Sequence, residues 1–395
     1  LQPLRQYGAQ VARGRAHLFE PKVTVRYRTD MGFPQPPKIG KNYRMTGATM
    51  VTYRQREKPT GEKVAINIDA GTNPPSGVLV QYWLRDKAKA EATLAFLDAR
   101  GKLIREFKSD PKALEEDLKP EEAPEKTPPE GTVQPPPTKD PKVSVVAGLN
   151  RFLWNMRYAD AAKIEGEGGT WEAFEAQLAG PQVPPGSYRV RLKVAGETLE
   201  APFEIRKDPR IASSQDDLEA QTALALKVNQ KLDETHRTIN AIRKLKTQLD
   251  GWEARAKEQG GQARLAKAAA TLRQKAGTIE AELVQVKAKS RQDTLNYPAK
   301  LNAKLASLGG YIGGADFAPT KGMREVSDDV SKRVDAQIAK WASLAKSEVA
   351  AFDKLVRSSG LPAVGAGEGK KPRRAASPRT RRKRTRELSA AALGR

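Results

Sequence analysis

The spacing of apolar residues changes once along this chain, near residue 210, and no other feature constrains the fold as strongly. Before that point apolar residues alternate. Val78, Val80, Tyr82 and Leu84 share one face of "VLVQYWLR". Thr93, Ala95 and Leu97 alternate before a turn at Asp98–Gly101. Tyr188, Val190, Leu192 and Val194 alternate up to Ala195–Gly196, and Leu199, Ala201, Phe203 and Ile205 return. A period of two broken by Gly-containing turns is the pattern of half-buried strands and hairpins. After that point the spacing becomes three-four: Leu218, Ala225, Val228, Leu232, Ile239, Ile242 and Leu249 lead into two further runs. The second run, about 262–289, carries Leu265, Leu272, Ile279, Leu283 and Val286. The third, about 321–358, carries Val326, Val330, Val334, Ile338, Trp341, Leu344, Val349, Phe352 and Leu355. Long amphipathic helices with short links pack against their neighbours in opposite directions.

The expected fold class is therefore α+β and multidomain, an immunoglobulin-like β-sandwich followed by an antiparallel helical bundle. Residues 1–75 lack a clear period and read as a connecting arm. Residues 76–209 read as the sandwich. It carries an insert at 108–142 rich in Pro, Glu and Lys, and a second insert at 159–182. The first buries too little apolar surface to order itself, and both are expected to be disordered insertions. Residues 213–360 read as the bundle. Ser213 or Ser214 caps its first helix, with Asp216 and Asp217 in the first turn. The segment "YPAKLNAKLASL" is available as a fourth helix. Residues 361–395 read as a disordered basic tail.

"GLNRFLWNMRY" (148–158) poses the sharpest local question, because Trp154 is either a ligand platform or a core residue. Phe152, Trp154, Met156 and Tyr158 share one wholly apolar face. Arg151, Leu153, Asn155 and Arg157 form a mixed one. A strand with one apolar face is half buried, which favours the core. Trp171, in a Gly-rich stretch, and Trp252 are the aromatics expected to be exposed, and so the candidate glycan contacts.

Charge separates the tail from the rest. The net charge is +23, and residues 369–395 hold eleven Lys and Arg against Glu387 alone. Arg373, Arg374, Arg381, Arg382, Lys383 and Arg384 are the candidate anion contacts, able to bind nucleic acid or an anionic surface through phosphate neutralisation. No aromatic is interleaved, so no base stacking is expected there. A solvated tail, or Arg- and Ala-rich text from a shifted reading frame, is preferred to a nucleic-acid tail.

Several chemistries are excluded or left without support. With no cysteine, disulfides, thiolate metal sites and Cys nucleophiles are excluded. His17 and His236 each lack a second His three or four residues away, so no metal site is expected. His236 reads as a satisfied seam residue of its helix. Asp216–Asp217 and Asp328–Asp329 suit helix N-termini better than acid–base work. "GAGEGKK" lacks phosphate-loop spacing. No catalytic residue or cofactor is expected. No apolar run approaches the ~18 residues of a membrane span. The chain begins with Leu1 and no leader pattern, and reads as a fragment or processed chain.

An ordered series of short motifs resembles a known family. "TNPPSGVLVQYWL", "LDARGKLIREF", "GLNRFLWNMRY", "GPQVPPGSYRVRL" and "KDPR" precede a helix with "KLDETH" and "INAIRKLKTQLD". The series resembles the C-terminal region of bacterial sortilin-like, BNR-repeat β-propeller proteins, often labelled glycosyl hydrolases. "LQPLRQ" and "AHLFEP" resemble the segment that leaves the propeller, and "DFAPTKGMREV" the start of the last helix. The Gly-Leu-Asn-Arg-Phe-x-Trp strand is also similar to one in immunoglobulin-like domains of the flagellar hook-cap type. The propeller and its Asp-box are missing here, so the resemblance implies architecture and not catalysis. It implies an exported protein of the bacterial envelope or exterior. The expected function is a non-catalytic structural or protein-interaction module, with its own propeller or another chain as partner. The alternatives are a glycan-binding accessory part of a hydrolase, and nonspecific nucleic-acid binding through the tail.

Overall fold

The computed structural model describes residues 2–27, 40–46, 49–57, 63–68, 76–110, 140–166, 178–288, 293 and 295–361. Most of the first expected insert, Trp171 and the basic tail from residue 362 fall outside these residues. The architecture is mixed α+β, with strands preceding the long helices in sequence.

Among the described residues, eleven strands form three sheets. β1 (Ala16–Leu18), β6 (Val78–Leu84) and β9 (Gly148–Trp154) make an antiparallel sheet in the order β1-β6-β9. β2 (Thr24–Arg26), β7 (Thr93–Asp98), β8 (Leu103–Lys108), β10 (Gly186–Val194) and β11 (Glu197–Lys207) make the largest sheet, ordered β2-β11-β10-β7-β8. Its only parallel pair among the described residues is β2 with β11. β3 (Gly40–Thr46), β4 (Thr49–Glu57) and β5 (Lys63–Asn67) form a separate antiparallel meander. The expected arm is corrected: it supplies β1 to the β1-β6-β9 sheet, β2 to the five-stranded sheet those strands face, and the whole of the meander.

Those two sheets share one apolar core. Val78, Val80, Tyr82 and Leu84 line it from β6, and Tyr188, Val190, Leu192 and Val194 from β10. Trp154 answers the opening question as a core residue. It is fully buried, and its ring stacks on Phe96 across the two sheets at 4.2 Å between centroids. Its indole Nε1–H donates to the Arg157 carbonyl at 3.1 Å, so its polar atom is satisfied. Phe203 and Tyr188 meet it edge-on. Truncating such a side chain costs about 3–5 kcal/mol.

In β7 the structure differs from the alternation in the sequence. Leu94 and Phe96, not Thr93, Ala95 and Leu97, face the shared core. The other face is also buried at Ala95 and Leu97, which pair with Arg191 and Arg189 of β10. A strand buried on both faces carries no readable period. β9 ends at Trp154 and Met156 adopts a left-handed backbone (φ 58°), yet Met156 is buried in the same core and Tyr158 packs against it, as the alternation predicts.

The helices follow the "KDPR" turn. Arg210 donates to both carboxylate oxygens of Asp208, which holds that acid well down at about 2. Lys207 Nζ reaches the Ser213 carbonyl. Two short helices, α1 (Gln2–Gln6) and α2 (Ala9–Arg13), precede the strands, and Ser214 caps α3 (Gln215–Glu258) in a reciprocal capping box with Asp217. α4 (Ala263–Leu283), α5 (Leu301–Ile312) and α6 (Lys321–Leu344) follow. A π turn, Ala345–Val349, joins α6 to α7 (Ala350–Ser358). Arg243 and Lys246 of α3 meet Glu280 of α4, while Asp250 meets Arg273. α3 and α4 therefore run in opposite directions. Lys227 meets Asp328 and Lys231 meets Asp335, so α6 runs alongside α3 in the same direction. α5, from the segment read as a spare helix, packs into the same core through Leu301, Leu305 and Leu308.

Two expected core positions are corrected. Val286 and Val326 are exposed. α4 ends at Leu283, where Val284 turns to an extended backbone and takes the buried place itself. Val326 lies in the first turns of α6, before the buried Val330 and Val334.

The expectation of a disordered second insert is corrected over residues 159–166. They lie extended along α3, and polar side chains of that helix bond to their backbone. Ala162 N donates to Asp233 Oδ1, and Glu165 N to Asn240 Oδ1. Asn240 Nδ2 and Arg243 Nη1 donate to the Lys163 and Glu165 carbonyls. Ala161 and Ile164 enter the helical core. The sequence gives no strand or helix period here because helix side chains, not a neighbouring strand, satisfy the backbone.

Candidate functional site

A cavity of about 160 Å³ lies where β2 meets the helices. Three parts of the chain wall it. β2 presents Arg26, the end of the second insert presents Gln182, and α3 presents Gln221, Thr222, Val228, Asn229 and Leu232. The spacing of these α3 residues places them on one helix face. The floor is the glycine-rich end of α5, where Leu305, Gly309, Gly310 and Gly313 leave the space that side chains would fill.

Arg26 is the organising residue, at 3 % exposure. Its Nη1 donates to the Val183 carbonyl at 2.9 Å, and its Nη2 to Gln221 Oε1 at 3.1 Å. The same Nη2 pairs with Asp316 Oδ1 at 2.6 Å. Gln221 in turn donates to the carbonyls of Ile312 (2.8 Å) and Ala315. One network thus joins the arm, the stretch before β10, α3 and the loop before α6. The Nε–H of Arg26 and the Oε1 of Gln182 are both buried with no hydrogen-bond partner among the described residues.

The Thr222 hydroxyl is engaged with the carbonyls of Leu218 and Gln182. Among the described residues, no carboxylate, histidine or tyrosine lines the space, and Arg157 stands on its wall beside Arg26. Among the described residues, no group of three His, Cys, Asp or Glu side chains is placed to hold a metal ion.

The residues singled out in the sequence lie elsewhere. Trp252 is half-buried against the helical core rather than exposed, with the Arg255 guanidinium 5.1 Å over its ring. Trp171 falls outside the described residues, as do Arg373, Arg374, Arg381, Arg382, Lys383 and Arg384. His236 is fully buried, and its Nδ1 donates to the Ala162 carbonyl at 2.6 Å. Burial holds its pKa below the ordinary 6.5, opposed by that hydrogen bond and by Asp233. It is a buried seam residue, but its Nε2 has no hydrogen-bond partner among the described residues, so the expectation of a satisfied side chain holds at Nδ1 alone. Asn150, in the motif strand, is spent on the preceding loop. Its Oδ1 accepts from Ser144 Oγ and Val146 N, and its Nδ2 donates to the Val146 and Gly148 carbonyls.

Arg26, Gln182, Gln221 and Asn229 went unmarked in the sequence. The one signal was the doubled glycine in "LGGYIGG", which an apolar helix carries only at a cost of ~1 kcal/mol per Gly relative to Ala. No family model, curated protein or solved structure matches this chain. Among the described residues no helix is long and apolar enough to cross a membrane.

Proposed function

We propose that this chain is a non-catalytic structural and protein-interaction module, an immunoglobulin-like β-sandwich braced onto an antiparallel helical bundle. In this reading it belongs to an exported, sortilin-like BNR-propeller protein and positions that propeller or a partner chain. The observation that carries the reading is the Arg26 network. A residue of the N-terminal arm lies in the largest sheet and bonds to both α3 and the loop before α6. An arm anchored in this way transmits force and orientation from whatever precedes it to both halves. The ordered motif series adds support. "GLNRFLW" and "KDPR" supply the central Trp154 and the sheet-to-helix turn, which are structural duties.

The test has two arms. The coding region upstream of Leu1 is sequenced, and any in-frame propeller it encodes is produced separately and titrated with this chain by calorimetry. Saturable association supports the module. Specific turnover of a glycan by this chain alone, lost on mutating one defined cleft, would sink the non-catalytic reading.

A further inference from the structure

The cavity between the sheets and the helices holds unspent hydrogen-bonding capacity of both signs. Arg26 Nε–H is a donor on a side chain sealed from solvent, and Gln182 Oε1 is a buried acceptor. Both belong to residues that line the same space. Buried polar groups in folded proteins are almost always satisfied, by protein, water or ligand. The Asn229 amide, which offers two donors and an acceptor, lines the space as well.

The ligand class follows from three considerations. The first is charge. Arg26 is already paired with Asp316, so its remaining Nε–H does not call for an anion, and the second guanidinium on the wall, Arg157, already donates to the Gly180 carbonyl. The second is polarity. A carboxylate or phosphate oxygen can only accept, which would leave Gln182 Oε1 unsatisfied, whereas a hydroxyl both accepts and donates. The third is the rest of the wall. Val228, Leu232, Leu305 and the bare backbone of Gly309 offer a smooth apolar surface for a carbon skeleton. About 160 Å³ is more than ten times the ~10–15 Å³ that admits one water.

We propose that this cavity binds one small polyhydroxylated molecule, a polyol or a single sugar ring. Its hydroxyls accept from Arg26 Nε–H, donate to Gln182 Oε1 and bond to the Asn229 amide. The proposal does not depend on the propeller reading, because it rests on the walls of the cavity alone.

The experiment is ligand-observed saturation-transfer NMR on the full chain with D-glucose, D-galactose, myo-inositol and glycerol, with acetate and sulfate as anionic comparators. Two variants accompany the wild type. Asn229→Leu removes the open amide from a helix position that tolerates leucine. Gly309→Ala adds a methyl that meets Val228 Cγ1 at an unstrained 3.8 Å and shrinks the space. Circular dichroism confirms that each folds. Saturable transfer from at least one of the four hydroxylated probes is expected, about ten-fold weaker in Asn229→Leu, as the loss of one or two hydrogen bonds implies. Gly309→Ala should weaken it too. Absence of transfer from all four probes would mean a cavity filled by water alone and overturn the proposal. So would binding unchanged in both variants, or acetate or sulfate displacing the hydroxylated probes.

Discussion

Arg26 Nη2 lies 2.6 Å from Asp316 Oδ1, 290 positions along the chain, and the two side chains are only 3 % and 4 % exposed. Removing one partner of such a pair strands a buried charge, at a cost of about 3–5 kcal/mol. Asp316→Ala and Arg26→Met are each expected to lose stability on that scale in urea unfolding. The double variant should lose less than the sum of the singles, and a double-mutant cycle measures the difference. Added salt should barely weaken the pair, because a buried pair is poorly screened.

His236 makes stability fall in mild acid. Its folded pKa is lowered, chiefly by burial, so the unfolded state takes up the proton first. The contribution is complete above the unfolded value of about 6.5 and is lost as pH drops from there toward the folded value. Urea unfolding at a series of pH values between about 7 and 5 should show this slope. His236→Gln removes the titrating group and should flatten it, with amide hydrogen exchange at 162–166 reporting the cost to the docked segment.

Asn240 clamps the extended segment through two bonds, accepting from Glu165 N at 2.9 Å and donating to the Lys163 carbonyl at 2.8 Å. Asn240→Ala should destabilise by about 0.5–1.5 kcal/mol for each bond lost, since water can reach the exposed peptide groups it frees. The loss should be local. Protease cleavage near 163–166 is expected to quicken many-fold, while near-ultraviolet dichroism from Trp154 is unchanged.

The hairpin turn between β10 and β11 offers a gain. Ala195 has φ 52° and Gly196 φ 81°, both left-handed, as a two-residue turn of this type demands. Ala is poorly suited to that conformation, which costs a residue with a Cβ about 1–2 kcal/mol, and Asn is better. Ala195→Asn is exposed and touches no core. A rise of about 0.5–1 kcal/mol in thermal or urea unfolding is expected.

The sequence by itself determined that β6, β10 and β11 became strands and that α3, α4 and α6 became long helices, because the burial period of a strand or helix is local to it, whereas the five strands within residues 1–75 show no clear period and were read as an arm. The alternating residues of β6 and β10 and the three-four residues of α3 are buried where their spacing puts them. Ser214 caps α3 because a cap needs only the residues of one turn. Trp154 was legible as core for the same reason, since its strand has one apolar face. Tertiary structure decided everything that depends on partners distant in sequence. β7 hides its period because both of its faces are covered, and residues 159–166 are ordered by side chains some seventy positions later. Trp252, expected at the surface, is half covered by packing that its own neighbours in sequence do not reveal. The cavity could not be read either. It exists where β2, the stretch before β10, α3 and α5 converge, and an arginine in a short arm strand becomes a buried donor only when Asp316 and Gln221 close around it.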